Sequence, residues 1–166
     1  ENNAPIYMLD TQGVFCSTEE SSQLLHPKGR DAGRRAIERM TKKDALGLIE
    51  RSSHYLATQV KDTGQFYYGW HPCFDRYINT YNTLRHASTT YSMIEAWEVT
   101  QDSELEKAIL RSIDYIVNTL IRRVTLRKSG ERLAFLVEHT GTEVKLGANA
   151  VCILALSKYS GVTGTQ

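Results

Sequence analysis

Cysteine is scarce and unpaired in this sequence. Cys16, Cys73 and Cys152 stand far apart and in no CxxC pair. An odd, scattered set argues against a disulfide framework and against a cysteine zinc site. Histidine is equally dispersed: His54, His71, His86 and His139 form no HxH or HExxH pattern, so no metal is expected. There is no GxSxG elbow and no phosphate loop, and no cofactor is expected. No run approaches the roughly 18 apolar residues of a membrane span. No charged start followed by an apolar stretch opens the chain, so no signal peptide is expected within it. The first residue is Glu rather than Met, which leads us to expect a processed chain or one cut from a longer one. The compartment is left open. A dominant charge is also missing: 20 Lys and Arg oppose 19 Asp and Glu. That balance gives no global footprint for nucleic acid, and no nucleic-acid partner is expected. The short basic cluster at Arg122, Arg123, Arg127 and Lys128 reads as a solvated helix end and turn.

What is present is a chain of 166 residues, 41% apolar and 23% charged, enough for one domain with a real core. Residues 1–28 read as irregular, with a short hairpin expected where IYML (6–9) and VFCS (14–17) flank Asp10–Gly13. STEESSQLLHPKG then reads as an exposed connector. Residues 29–166 read as a helical domain. DAGRRAIERM (31–40) is a short helix candidate. Asp44 is expected to cap a stronger one, with Ala45, Leu48, Ile49, Ser52, Tyr55, Leu56 and Val60 as its apolar stripe. Asn82 or Thr83 caps the next, whose apolar positions include Leu84, Ala87, Tyr91, Ile94 and Trp97. Ser103 with Glu106 reads as a capping box, opening a stripe of Leu105, Ala108, Ile109, Ile113, Ile116, Val117 and Leu120. Residues 122–139 read as a hairpin turning at Lys128–Gly130, and a last apolar helix runs from about Gly147 to Tyr159. The fold class expected is mainly α, helical hairpins with short β-hairpins in the long loops.

An internal repeat underlies this order. IERSSHYL (49–56) lies over ILRSIDYI (109–116), and WEVTQD (97–102) lies over SGVTGT (160–165). Repeated helix pairs stack to bury a shared core. Short turns then share one face and the long loops, 61–82 and 122–146, share the other, where a site is expected.

The densest chemistry lies in GQFYYGWHPCFDRYINTYNTLRHASTTYSMIEAWE (64–98), which holds both tryptophans and five of nine tyrosines. Aromatic faces beside Asp, Asn, Arg and His are how a polar ligand such as a carbohydrate is held. Tyr68, Trp70 and Tyr81 are stacking candidates; Trp97, at helical spacing, reads as core. Asp75 among aromatics can serve as a general acid, with Arg76 beside it as a candidate substrate contact, or the two form a solvated or paired turn. Asn82 and His86 share a helix face. That helix N-terminus favours an anion, such as a uronate carboxylate, with Arg85 as its bidentate partner. His86 is a candidate base, or a hydrogen-bonded core residue. Arg85 alternatively pairs with Glu138 or Asp75. Glu138 is a candidate second carboxylate, needing a separation of about 5–10 Å from Asp75, and His139 beside it is a candidate sugar contact. Cys73 is a candidate nucleophile or a packed thiol, and Cys152 reads as core.

TYSMIEAWEVTQDSELEKAILRSIDYIVNTLI and LGANAVCILALSKYSGVTG resemble helical hairpins of the (α/α)-toroid carbohydrate-active enzymes, the six-hairpin glycosidases and related sugar epimerases and lyases. VTQD (99–102) and VTGT (162–165) stand where that group carries its small T-G-D or T-x-D turn. The resemblance covers roughly residues 30–166. It implies a partial, N-terminal portion of a toroid, since a whole one has about twelve helices against about five here. It implies a carbohydrate ligand and hydrolysis with Asp75 or Glu138 as acid or base. Epimerisation or lysis by His86 or a tyrosine beside an Arg85-bound carboxylate is the enzymatic alternative. A helical-repeat binding or scaffold module is the non-enzymatic one. A partial toroid also implies an apolar edge, hence self-association or contact with the remainder of a longer chain.

Overall fold

The computed structural model describes residues 4–18, 21–37 and 39–165. They form two units, residues 1–45 and 46–166.

In the first unit, β1 (Val14–Phe15) pairs antiparallel with β2 (Gln23–Leu24), Val14 opposite Leu24. A bridge from Leu25 to Arg35 extends the ladder. The hairpin expected between 6–9 and 14–17 does not form: Ile6, Tyr7, Met8 and Leu9 are 82–95% exposed. Leu25 takes the partner's place, donating its amide to Gly13 O and packing its side chain on Gly13. The connector therefore contributes a strand; its Glu19 and Glu20 lie outside the described residues. The helix expected over 31–40 is also absent among the described residues, Glu38 not being one of them. Gly29 and Gly33 adopt φ of +80° and +78°, the left-handed region that interrupts a helix. Arg34 folds back instead, its amide to Asp31 O and its guanidinium to the Asp31 carboxylate.

α1 (Lys42–Thr58) is capped by Thr41 rather than by Asp44. The Thr41 hydroxyl accepts from the Asp44 amide and the Asp44 carboxylate accepts from the Thr41 amide. This is a reciprocal box with Asp in the third position.

The second unit is mainly helical, with short antiparallel strand pairs in its two long loops. α2 (Thr83–Thr100) is its centre. Asn82 caps it, the side chain accepting from the Arg85 amide, and Gln101 closes it in the left-handed region. Asp102 then caps α3 (Ser103–Tyr115), accepting from the Glu104 and Leu105 amides. The expected Ser103–Glu106 box does not form; the cap falls one residue earlier, because the Asp102 carboxylate reaches the free amides first. α3 ends in a π-helical turn, Ile116–Leu120, in which the Ile121 amide bonds Ile116 O. That turn feeds β5 (Ile121–Thr125), which pairs with β6 (Arg132–Leu136) around the expected turn. α4 (Leu146–Thr163) is longer than its expected span.

α2 and α4 are both 18 residues long, and their starts and ends are the same distance apart in sequence. They run parallel. Ala87 packs with Ala148 and Cys152 near their beginnings, and Lys158 pairs with Glu98 near their ends. α3 returns antiparallel to α2, burying Leu105, Ala108 and Ile109 against Met93, Ile94 and Trp97. α1 is antiparallel to α2 as well, with Leu48 and Ile49 beside Ala96 and Gln59 beside Asn82. The stripe expected on α1 is only partly met: Val60 is buried and Leu56 packs on the core, but Ser53 and Ala57 are buried in place of Leu48 and Tyr55, which stay 40% and 62% exposed. Among the described residues, no helix is long and apolar enough to cross a membrane.

Candidate functional site

The first long loop closes over the start of α2 because of one glycine and one tyrosine. Gly64 sits at φ +84°, where a Cβ would lie 2.1 Å from Arg111 O. Only glycine lets the loop press on α3 there. Across it, Val60 bridges to Phe66, and the Phe66 amide donates to the Tyr81 hydroxyl at 3.0 Å. Between them the chain forms β3 (Trp70–His71) and β4 (Arg76–Tyr77), joined through a 3-10 turn at Pro72–Phe74. Tyr67 stacks on Tyr77 with centroids 5.0 Å apart, and Trp70 meets the same ring edge-on at 4.7 Å.

These aromatics wall a cleft of about 280 Å³, near the lower limit of about 300 Å³ for small-molecule sites. Its floor is the end of α1, at Tyr55, Leu56 and Gln59, and the first two turns of α2, at Asn82, Arg85, His86 and Thr89. Tyr68, Trp70 and Tyr81 line it, so the structure brings together six of the sequence-predicted residues: these three with Asn82, Arg85 and His86. The Arg85 guanidinium lies 5.2 Å from the Tyr68 ring centroid. It makes no ion pair with Asp75 or Glu138. Among the described residues, no carboxylate lines the cleft.

His86 is 2% exposed and saturated with hydrogen bonds. The Ser112 carbonyl beside Nε2 can only accept, so Nδ1 is the bare ring nitrogen and takes the Tyr81 hydroxyl proton, 2.6 Å away, while the Tyr81 oxygen accepts from the Phe66 amide. Nε2 therefore carries the ring hydrogen and donates to Ser112 O and Oγ at 3.1 and 3.0 Å. Ser112 in turn donates to Thr90 Oγ1 at 2.5 Å, and Thr90 donates to His86 O at 2.9 Å. The loop of donors closes on itself and leaves His86 neutral. Burial lowers its pKa to about 4, against the partial restoring effect of the Ser112 carbonyl. Burial likewise raises Tyr81 well above the usual phenol range. A second pair lies alongside: the Tyr115 hydroxyl and His139 Nδ1 are 2.7 Å apart. The Tyr115 ring stacks on His86 at 5.4 Å, and the His139 ring meets Tyr81 at 5.6 Å. Both long loops thus converge on Tyr81 and Tyr115.

The other candidates lie elsewhere. Asp75 is exposed at φ +48°, closing the 3-10 turn, and Arg76 stacks on Phe74 at 5.3 Å. Neither lines the cleft. Glu138 is buried beneath α2. Its Oε2 accepts from the Thr83 amide at 3.2 Å, so Glu138 itself occupies the anion position at that helix N-terminus. Lys145 Nζ lies 3.1 Å from Oε1 but off the hydrogen-bonding direction, so Oε1 is ion-paired without a donor. Cys73 is exposed in the 3-10 turn, outside the cleft. Cys152 is buried, its thiol raised to about 11 by desolvation. Among the described residues, no three His, Cys, Asp or Glu side chains converge as a metal centre requires.

Ser112, Thr90 and Tyr115, which fix His86, were not among the sequence-predicted residues. Ser112 and Tyr115 did carry a signal, being identities between the two repeats. Gln59 and Thr89 carried none, since only the crossing of α1 on α2 brings them to the cleft. Comparison of the chain with family models, with curated proteins and with solved structures returned no match.

Proposed function

We propose that this chain is a carbohydrate-active domain of the (α/α)-toroid kind, taking an acidic saccharide in the cleft over α2. The observation that carries the reading is the Arg85 guanidinium, which makes no ion pair among the described residues, in an aromatic cleft lined by none of the described carboxylates. An arginine that stacks on a ring but makes no ion pair among the described residues supplies a fork for a carboxylate or sulfate, and Tyr68, Trp70 and Tyr77 supply faces for sugar rings. The architecture is supported by the parallel α2 and α4, with α1 and α3 antiparallel to them.

Of the reaction classes, proton transfer beside a bound carboxylate fits this cleft better than hydrolysis. Tyr81 lines the cleft with its hydroxyl proton aimed at His86 Nδ1, the group to which it would pass that proton when acting on a substrate. Hydrolysis by Asp75 and Glu138 needs two carboxylates flanking one bond, and Glu138 is engaged with Thr83 and Lys145. A second reading, saccharide binding without catalysis, is favoured by the commitment of both His86 nitrogens to internal partners.

The test is a panel of neutral and uronate-containing oligosaccharides, followed by heteronuclear shift mapping and product analysis. Shifts on 66–86 with the acidic sugars alone, weakened roughly tenfold or more by Arg85→Ala, are expected. An unsaturated or epimerised product lost in Tyr81→Phe selects the enzymatic reading, and binding without a product selects the second. A well-folded sample that binds no acidic saccharide overturns both.

A further inference from the structure

α4 is rich in apolar residues with no continuous polar face, yet it is covered on one side only. Ile153 and Leu154 are 64% and 57% exposed, and Ala150 and Ser157 beside them are exposed too. A helix with no polar face belongs in an interior. Aligning α4 on α2 by their common ends shows what this strip corresponds to. Ala150, Ile153 and Ser157 fall on Ala87, Thr90 and Ile94, each fully buried. On α2 that strip is covered by the pair α3–α4: Thr90 meets Ser112, and Ala87 meets Ala148 and Cys152.

The opposite edge of the second unit carries the matching half. Under the repeat of IERSSHYL on ILRSIDYI, Leu48, Ser52 and Tyr55 of α1 correspond to Ala108, Ser112 and Tyr115 of α3. The α3 residues are buried against α2; Leu48 and Tyr55 are 40% and 62% exposed, and Ser52 is exposed. Between α1 and α2 an open groove of about 280 Å³ runs past Leu48, Ser52 and Leu56 on one wall and Ser92 and Ala96 on the other.

We propose that a second copy of this chain covers these surfaces. The exposed strip of α4 in one copy docks into the α1–α2 groove of the next, repeating between chains the packing of α2 against α3 and α4. The occupant is a second copy because one chain carries both halves of a contact that it already makes internally. In that arrangement Ile153 takes the place of Thr90 opposite Ser52, and Leu154 lies beside it over the small side chains Ser92 and Ala96. The contact joins two different surfaces, so it is head-to-tail and builds a ring or an open chain rather than an isologous pair.

The experiment is sedimentation of the 166-residue chain over a wide concentration range, with disulfide trapping. For trapping, exposed Cys16 and Cys73 are first changed to Ser. One preparation then carries Ser52→Cys and another Ile153→Cys. The chain is expected to associate with rising concentration, and the mixture to cross-link at least tenfold more than either preparation alone. Ile153→Asp, and separately Ser157→Arg, are expected to leave a monomer with unchanged circular dichroism, both positions being exposed. A chain that stays monomeric throughout, association that survives both substitutions, or cross-linking no greater in the mixture overturns the proposal.

Discussion

The Tyr81 hydroxyl donates to Nδ1 of His86 across 2.6 Å while accepting from the Phe66 amide. That pairing ties the aromatic loop to the first turns of α2, while the Ser112 carbonyl, which can only accept, keeps the ring hydrogen of His86 on Nε2. Removing the hydroxyl leaves a part-buried amide and an imidazole nitrogen unpaired together. Tyr81→Phe is expected to destabilise the fold by about 2 kcal/mol. Urea unfolding at neutral pH measures this, with a midpoint shift and an unchanged slope.

His86 makes stability depend on pH. Its folded pKa, about 4, lies below the ordinary 6.5, so between these values the unfolded chain binds the proton and the folded chain does not. Stability from this group is therefore complete above about pH 6.5 and is lost as pH falls toward 4, by up to about 3 kcal/mol. Unfolding free energies at pH 7, 6 and 5 check the trend, which should flatten in His86→Gln.

Glu138 holds the start of α2 through the Thr83 amide and pairs with Lys145. Lys145 is held above its usual pKa chiefly by this carboxylate. Glu138→Gln is expected to cost about 1–2 kcal/mol of stability while leaving saccharide affinity within about twofold. Calorimetric titration beside thermal unfolding separates the two effects. A loss of turnover with affinity and fold intact would instead make Glu138 a catalytic carboxylate.

Gly64 combines φ +84° with a Cβ position that would meet Arg111 O and Tyr115 Cβ. Gly64→Ala is expected to cost about 3 kcal/mol, from left-handed strain plus displaced backbone. The amide cross-peaks of 64–70 should shift first. Gly130, also at positive φ but with nothing near its Cβ position, is the comparison. Gly130→Ala should cost only the strain of about 1–2 kcal/mol.

The long helices were legible because their determinants are local. The stripe from Leu105 to Leu120 repeats at helical steps, Asn82 stands where α2 begins, and Lys128–Gly130 turns the β5–β6 pair. The N-terminal expectations failed where local signals competed. Residues 31–40 carry helix formers, but Gly29 and Gly33 take left-handed φ and Arg35 bridges to Leu25. Caps moved by a few residues at Thr41 and Asp102, because Ser, Thr and Asp all serve and only the real backbone chooses among neighbours.

By itself, then, the sequence determined the α2–α3 hairpin, the duplicated helix pair and the aromatic loop before α2, each written in spacing and turn chemistry. Only the tertiary structure decided which groups face one another. It set Glu138 under Thr83 instead of beside Asp75, and left Arg85 with no carboxylate among the described residues. It closed His86 into a ring of donors with Ser112 and Thr90. It also turned α1 so that Ser53 and Ala57, not Leu48 and Tyr55, meet the core. Those outcomes depend on how helices cross and how loops fold back over tens of residues, and no periodicity along the chain encodes such distances.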